Sequence, residues 1–147
     1  MLDFMVKEAD AYANIGRELY NRAIKAMTDQ SETELWFIGP AIVNISFSIE
    51  LKLKYIIAVS KGTFVKVHNL KKLLDEIPCD AKEQKRTVQL ISYKHTGYSS
   101  LDFEKNLEEC SYYFTNARYS YERESQIYAV RFLYNFCTFQ RVEELRT

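Results

Sequence analysis

The chain has 147 residues, of which 47% are apolar and 14% aromatic, enough to bury a core as a single domain spanning 1–147 and too apolar for disorder. Twenty basic and twenty acidic residues cancel, so no net field draws in a polyanion, and any contact with nucleic acid must rest on a local patch. Cys79, Cys110 and Cys137 are an odd number without Cys-x-x-Cys spacing, and the N-terminus lacks the layout of a secretory signal. A cytoplasmic, reducing compartment is the expectation.

The first predicted helix covers Leu2 to Met27, with Met5, Ala9, Tyr12, Gly16, Leu19 and Ala23 on one face at spacings of three and four. "TDQSETE" breaks the pattern, and Ser31 with Glu34 has the form of a capping box. Gly39-Pro40 suits a new start, with proline at the first helical position, where its missing N–H is harmless. The second helix is expected from about Pro40 to Lys61, closed by Gly62 in the left-handed conformation. Ile42, Ile45, Ile49, Leu53 and Ile56 form its main stripe, widened by Val43, Phe47, Leu51 and Tyr55, so it reads as the central helix. It lies within the most apolar stretch, residues 36–59, but Glu50, Lys52 and Lys54 interrupt that stretch and argue against a membrane span.

After the short connection "GTFVKV", Asn69 caps a third helix carrying Leu70, Leu73, Leu74 and Ile77 and stopped by Pro78. Asp80 with Glu83 opens a more polar helix to about Lys94. Ser99 and Asp102 precede the clearest amphipathic helix, with Phe103, Leu107, Cys110, Phe114 and Ala117 on one face. A last helix from about Gln126 to Leu145 has Ile127, Val130, Leu133 and Cys137 on one side and Phe132, Phe136 and Phe139 on another. No segment alternates as a strand does. The expected fold is therefore all-α, an up-and-down helical bundle of four long helices plus one or two short helices between the second and fourth. The surplus apolar face of the second and last helices points to a homodimer.

Chemical motifs are sparse. Gly16, Gly39, Gly62 and Gly97 are too scattered for a phosphate-binding glycine loop. Neither clustered Cys and His nor Glu-x-x-His pairs are present, so no metal and no cofactor is expected. No serine or cysteine stands beside an evident base, and Glu50 reads as an i,i+4 partner of Lys54 at a helix edge. The tyrosines and arginines of "CSYYFTNARYSYERES" have the chemistry to stack on bases and hold phosphates, but Phe114 and Ala117 there already belong to a core stripe.

Two stretches carry a resemblance. "SFSIELKLKYIIAVSKGTFVKVHNLKKLLDEIP" resembles the HEPN domain signature, a helix of the type Ala-Ala-Glu-x-x-Leu-Lys ending at glycine, then a His-Asp-Leu helix start and a Leu-Leu pair. "FTNARYSYE" resembles the Arg-Tyr-Pro segment after the penultimate helix of many such domains. The matches cover about 45 residues directly, in the family's order and spacing. The resemblance implies an up-and-down bundle that commonly dimerises, occurs in defence, toxin–antitoxin and RNA-processing systems, and is often found beside a nucleotidyltransferase partner. Many members are metal-independent ribonucleases that use an arginine followed four to six residues later by a histidine.

That pair is missing. The only histidines are His68 and His95; Arg86 stands too far before His95, and no histidine follows Arg118. Asn69 stands where the family often has Asp, and Ser120 where it often has Pro. The expectation is a HEPN-like nucleotide- or RNA-binding and dimerisation module without ribonuclease activity. The alternatives are an endoribonuclease toxin with a non-standard active site and a purely structural partner of a nucleotidyltransferase. Candidate ligand-binding residues are His68, Asn69, Lys71, Lys72, Arg118 and Tyr119, with no catalytic residue assigned. His68 is expected to seal the joint between the second and third helices by a hydrogen bond to backbone, with ligand or RNA contact and proton transfer as the competing roles.

Overall fold

The computed structural model describes residues 2–29, 32–78, 108 and 111. All regular elements among them are α-helical: α1 (Leu2–Thr28), α2 (Glu32–Leu35), α3 (Ile38–Lys61) and α4 (Leu70–Glu76). Glu108 and Ser111 are also helical. The expected helices over 80–94 and 126–145, and all but those two residues of the one after Ser99, lie outside the described residues, as do His95, Arg118 and Tyr119. No helix of the described residues is long and apolar enough to cross a membrane.

α1 and α3 form an antiparallel pair, as their cross-contacts show. Ser48 donates to the Ala9 carbonyl at 2.7 Å, the Tyr12 and Phe47 rings meet edge to face at 4.7 Å, and the Arg22 guanidinium lies over the Phe37 ring. As the residue number falls on one helix it rises on the other. α1 buries small side chains, Ala9, Ala13, Gly16, Ala23 and Ala26, so its backbone sits close to α3. At Gly16 a Cβ would stand 2.5 Å from Ile45 Cγ1 and 3.0 Å from the Ile45 backbone nitrogen. Only a residue without Cβ fits there.

α3 supplies most of the core. Ile42, Ile45, Ile49, Leu53 and Ile56 are all buried, as the spacing requires, while Val43 is exposed. The helix begins two residues earlier than expected. Pro40 is thus its third residue, and its missing N–H is still harmless because the first intrahelical bond runs from Ala41 N to the Phe37 carbonyl. α2, a single turn, occupies the break between α1 and α3; the sequence pattern had placed short helices only later in the chain. Glu34 on it approaches Arg22 of α1 at 3.5 Å. Gly62 ends α3 with φ 73°, its N–H bonded to the Ala58 carbonyl, as the C-cap reading required.

The path after Gly62 positions everything that follows. His68 lies beside Glu50, while Glu76 at the end of α4 lies beside Lys61 at the end of α3. Residues 62–68 therefore run back along α3, and α4 then runs parallel to it. The eleven residues of α3 between Glu50 and Lys61 rise about 16 Å. Seven residues cover such a distance at about 2.3 Å each, more than an α-helix rises per residue, so the connection is not helical. Val65 and Val67 pack on the core beside Leu70, Leu73, Leu74 and Ile77.

Gly16→Ala tests the α1–α3 crossing. Alanine is the better helix former by about 1 kcal/mol, yet overpacking against Ile45 is expected to outweigh that and lower the unfolding free energy by a net ~1–2 kcal/mol in urea titration. An increase in stability would contradict the crossing.

Candidate functional site at the joint of α3 and α4

The 3.6-residue period of α3 places Glu50 about 100° around the helix from Ile49, on the side turned toward the returning connection. Its carboxylate is buried, and one oxygen, Oε1, receives two partners: Lys54 Nζ at 2.8 Å and His68 Nδ1 at 2.8 Å. The other, Oε2, is buried and makes no hydrogen bond among the described residues; Ser46 Oγ, one turn earlier, is in the same condition. The Lys54 pairing follows the expected i,i+4 spacing, but Glu50 is a buried residue and not one at a helix edge. Lys54 itself is only partly exposed.

His68 does not bond to backbone as expected: its partner is the Glu50 side chain. A carboxylate can only accept, so Nδ1 carries the hydrogen. The His68 side chain is 72% exposed against 2% for Glu50, so a buried anion fixes one edge of a ring that otherwise stands in water. Nε2 has no bond among the described residues. This is how protein carboxylates set the tautomer and orientation of histidines that work through their other nitrogen.

Asn69 is the N-cap of α4. It has φ −77° and ψ 121°, and its Oδ1 accepts from Lys72 N at 3.0 Å. Lys71 N donates to Ser111 Oγ at 3.1 Å, so the Lys71 and Lys72 amides are both already bonded within the protein. Lys71 Nζ is held by Asp75 at 2.6 Å. Lys66 and Lys72 are exposed and form no ion pair among the described residues. Four of the six candidate residues, His68, Asn69, Lys71 and Lys72, thus lie together at the joint, each with a different task. Arg118 and Tyr119 are outside the described residues. Ile77 is extended, as a residue before proline prefers to be, and closes α4 ahead of Pro78.

Sequence reasoning overlooked two polar contacts. Ser111 comes from a distant helical residue and carried no local signal. Lys52 is buried, with its ammonium 3.7 Å from Asp10 of α1; charged residues at 50, 52 and 54 had only argued against a membrane span. Lys52 lies about 200° around α3 from Glu50, so it braces the opposite side and takes no part in the His68 site. Among the described residues no group of three or more His, Cys, Asp or Glu side chains could hold a metal.

Two substitutions separate the capping and orienting roles. Asn69→Ala is expected to lower stability by about 1 kcal/mol through loss of the cap. Glu50→Ala should cost more, about 2–4 kcal/mol, because it leaves a cavity and a half-buried Lys54 without its counter-charge. Chemical denaturation of both variants checks the order; a Glu50→Ala protein as stable as wild type would remove Glu50 from its central place.

No family model matches the chain, and no curated protein or solved structure matches it significantly.

Proposed function

We propose that the chain is a HEPN-like module, a bundle of four long helices with one or two short ones, which dimerises and binds RNA or a nucleotide without the family's ribonuclease pair. The observation that supports the binding role is the solvent-facing imidazole of His68, oriented by a buried carboxylate and flanked in sequence by the exposed Lys66 and Lys72. A joint that only needed sealing gains nothing from a carboxylate-bonded ring left three-quarters in water. The resemblance to the family signature covers these same residues, and it supplies both the bundle and the dimer.

With net charge zero, binding depends on a few local cations, so affinity for RNA is expected at low salt and should fall steeply as salt rises. Lys72→Ala should weaken binding and lower the salt slope by about 1. Lys71→Ala should do less, because Asp75 already occupies that ammonium. Incubation of labelled RNA with the protein in EDTA should leave the RNA intact, and light scattering should give twice the 17.3 kDa chain mass. Absence of RNA binding at low salt, or a monomer at micromolar concentration, would overturn the corresponding half of the reading.

A further inference from the structure

We propose that the connection between α3 and α4 is a single-stranded RNA strip, on which Phe64 stacks a base, Lys66 holds a phosphate and His68 Nε2 accepts a hydrogen bond from a ribose 2′-hydroxyl. The proposal rests on the RNA-binding reading above and names the surface and the chemical feature it selects.

Exposure along the segment alternates strictly. Phe64, Lys66 and His68 are exposed, while Val65, Val67 and Asn69 are half-buried. Val65 and Val67 are packed against the core, which anchors the segment from below. Alternation with period two is what an extended chain produces, and the length of the return path along α3 excludes a helix there. Successive exposed side chains therefore stand about 6.5 Å apart on one line. The line begins with an aromatic ring that is 56% exposed, continues with an ammonium that has no ion pair among the described residues, and ends with an oriented imidazole. An exposed phenylalanine followed two residues later by an exposed lysine sets an aromatic face and a cation on one line. It is the composition of a stacking platform for single strands, where aromatic faces take bases and cations take the backbone.

His68 adds selectivity through its tautomer. Because Glu50 can only accept, the neutral ring carries its hydrogen on Nδ1 and presents a bare lone pair at Nε2. Such a nitrogen has nothing to donate to a phosphate oxygen, but it accepts from a hydroxyl. The 2′-hydroxyl is the group by which a protein tells RNA from DNA. A strip that ends in such an acceptor favours ribose over deoxyribose, and the Glu50 bond is what places the neutral ring's hydrogen on Nδ1 and leaves Nε2 bare.

The test is fluorescence anisotropy with the full chain, using a labelled single-stranded oligouridylate of about 12 nucleotides and the oligodeoxyuridylate of equal length. Wild type is expected to bind the RNA about tenfold more tightly than the DNA. Phe64→Ala should weaken both about tenfold, and Lys66→Ala should weaken both and lower the salt slope by about 1. His68→Ala should bring RNA down to the DNA affinity. Phe64 and Lys66 are exposed and their variants should keep the wild-type melting temperature, so they test the strip even if His68→Ala loosens the joint. RNA binding indifferent to Phe64 and Lys66 would overturn the strip while leaving the binding role intact. Equal affinity of wild type for RNA and DNA would overturn the role of His68. Cleavage of the RNA that is lost in His68→Ala would also overturn it, since the ring would then be moving a proton. No RNA binding at all would remove the parent reading together with this one.

Discussion

One buried carboxylate organises the described part of this protein. Glu50 lies inside the helical layer with a single oxygen shared by Lys54 and His68, and the second of those contacts ties α3 to a segment eighteen residues away. A buried anion without partners is strongly unfavourable. The connection is therefore held where its histidine can reach the carboxylate, and the carboxylate is acceptable only because the connection returns. Loss of either partner leaves charge or donor capacity unmet, which is the condition under which buried pairs become costly to break.

The remaining packing serves to make that arrangement rigid. Small residues on α1 let it approach α3 closely, and the fit of Gly16 against Ile45 sets the axial register of the two helices. Ser48 bonded to the Ala9 carbonyl and Lys52 beside Asp10 repeat that register with polar groups. On the other side of α3 the valines of the connection and the leucines of α4 close the core. The result is an exposed imidazole on a short irregular segment whose backbone is fixed at both ends, by Gly62 in its left-handed conformation and by the Asn69 cap. Function on loops requires such a scaffold.

Local features were legible in the sequence for a simple reason: their causes are local. The stripe from Ile42 to Ile56 follows from helical period, Gly62 from its freedom at positive φ, the Asn69 cap from side-chain reach, and Glu50 with Lys54 from i,i+4 spacing. The pairing of Glu50 with His68 was not legible, because it depends on residues 62–68 running back along α3 and not away from it, and no single residue specifies that direction. The same holds for Lys52 with Asp10 and for Ser111 at the start of α4, since contacts between distant elements leave no periodic trace. Gly16 sat on the predicted inner face of α1, but that alanine would not fit there became visible only with Ile45 opposite.

The central claim is that Glu50 fixes the orientation of His68 and, in the neutral ring, the tautomer, with Nε2 free to accept. Nitrogen-15 NMR of the imidazole in the 147-residue chain tests it most directly, because the two ring nitrogens have distinct shifts when protonated and when bare. For the neutral ring the account predicts the hydrogen on Nδ1 of His68, a bare Nε2, and slow exchange of the Nδ1 hydrogen with water that becomes fast in Glu50→Ala. A His68 spectrum showing the hydrogen on Nε2, or tautomers averaging as they do in free histidine and unaffected by Glu50→Ala, would contradict it.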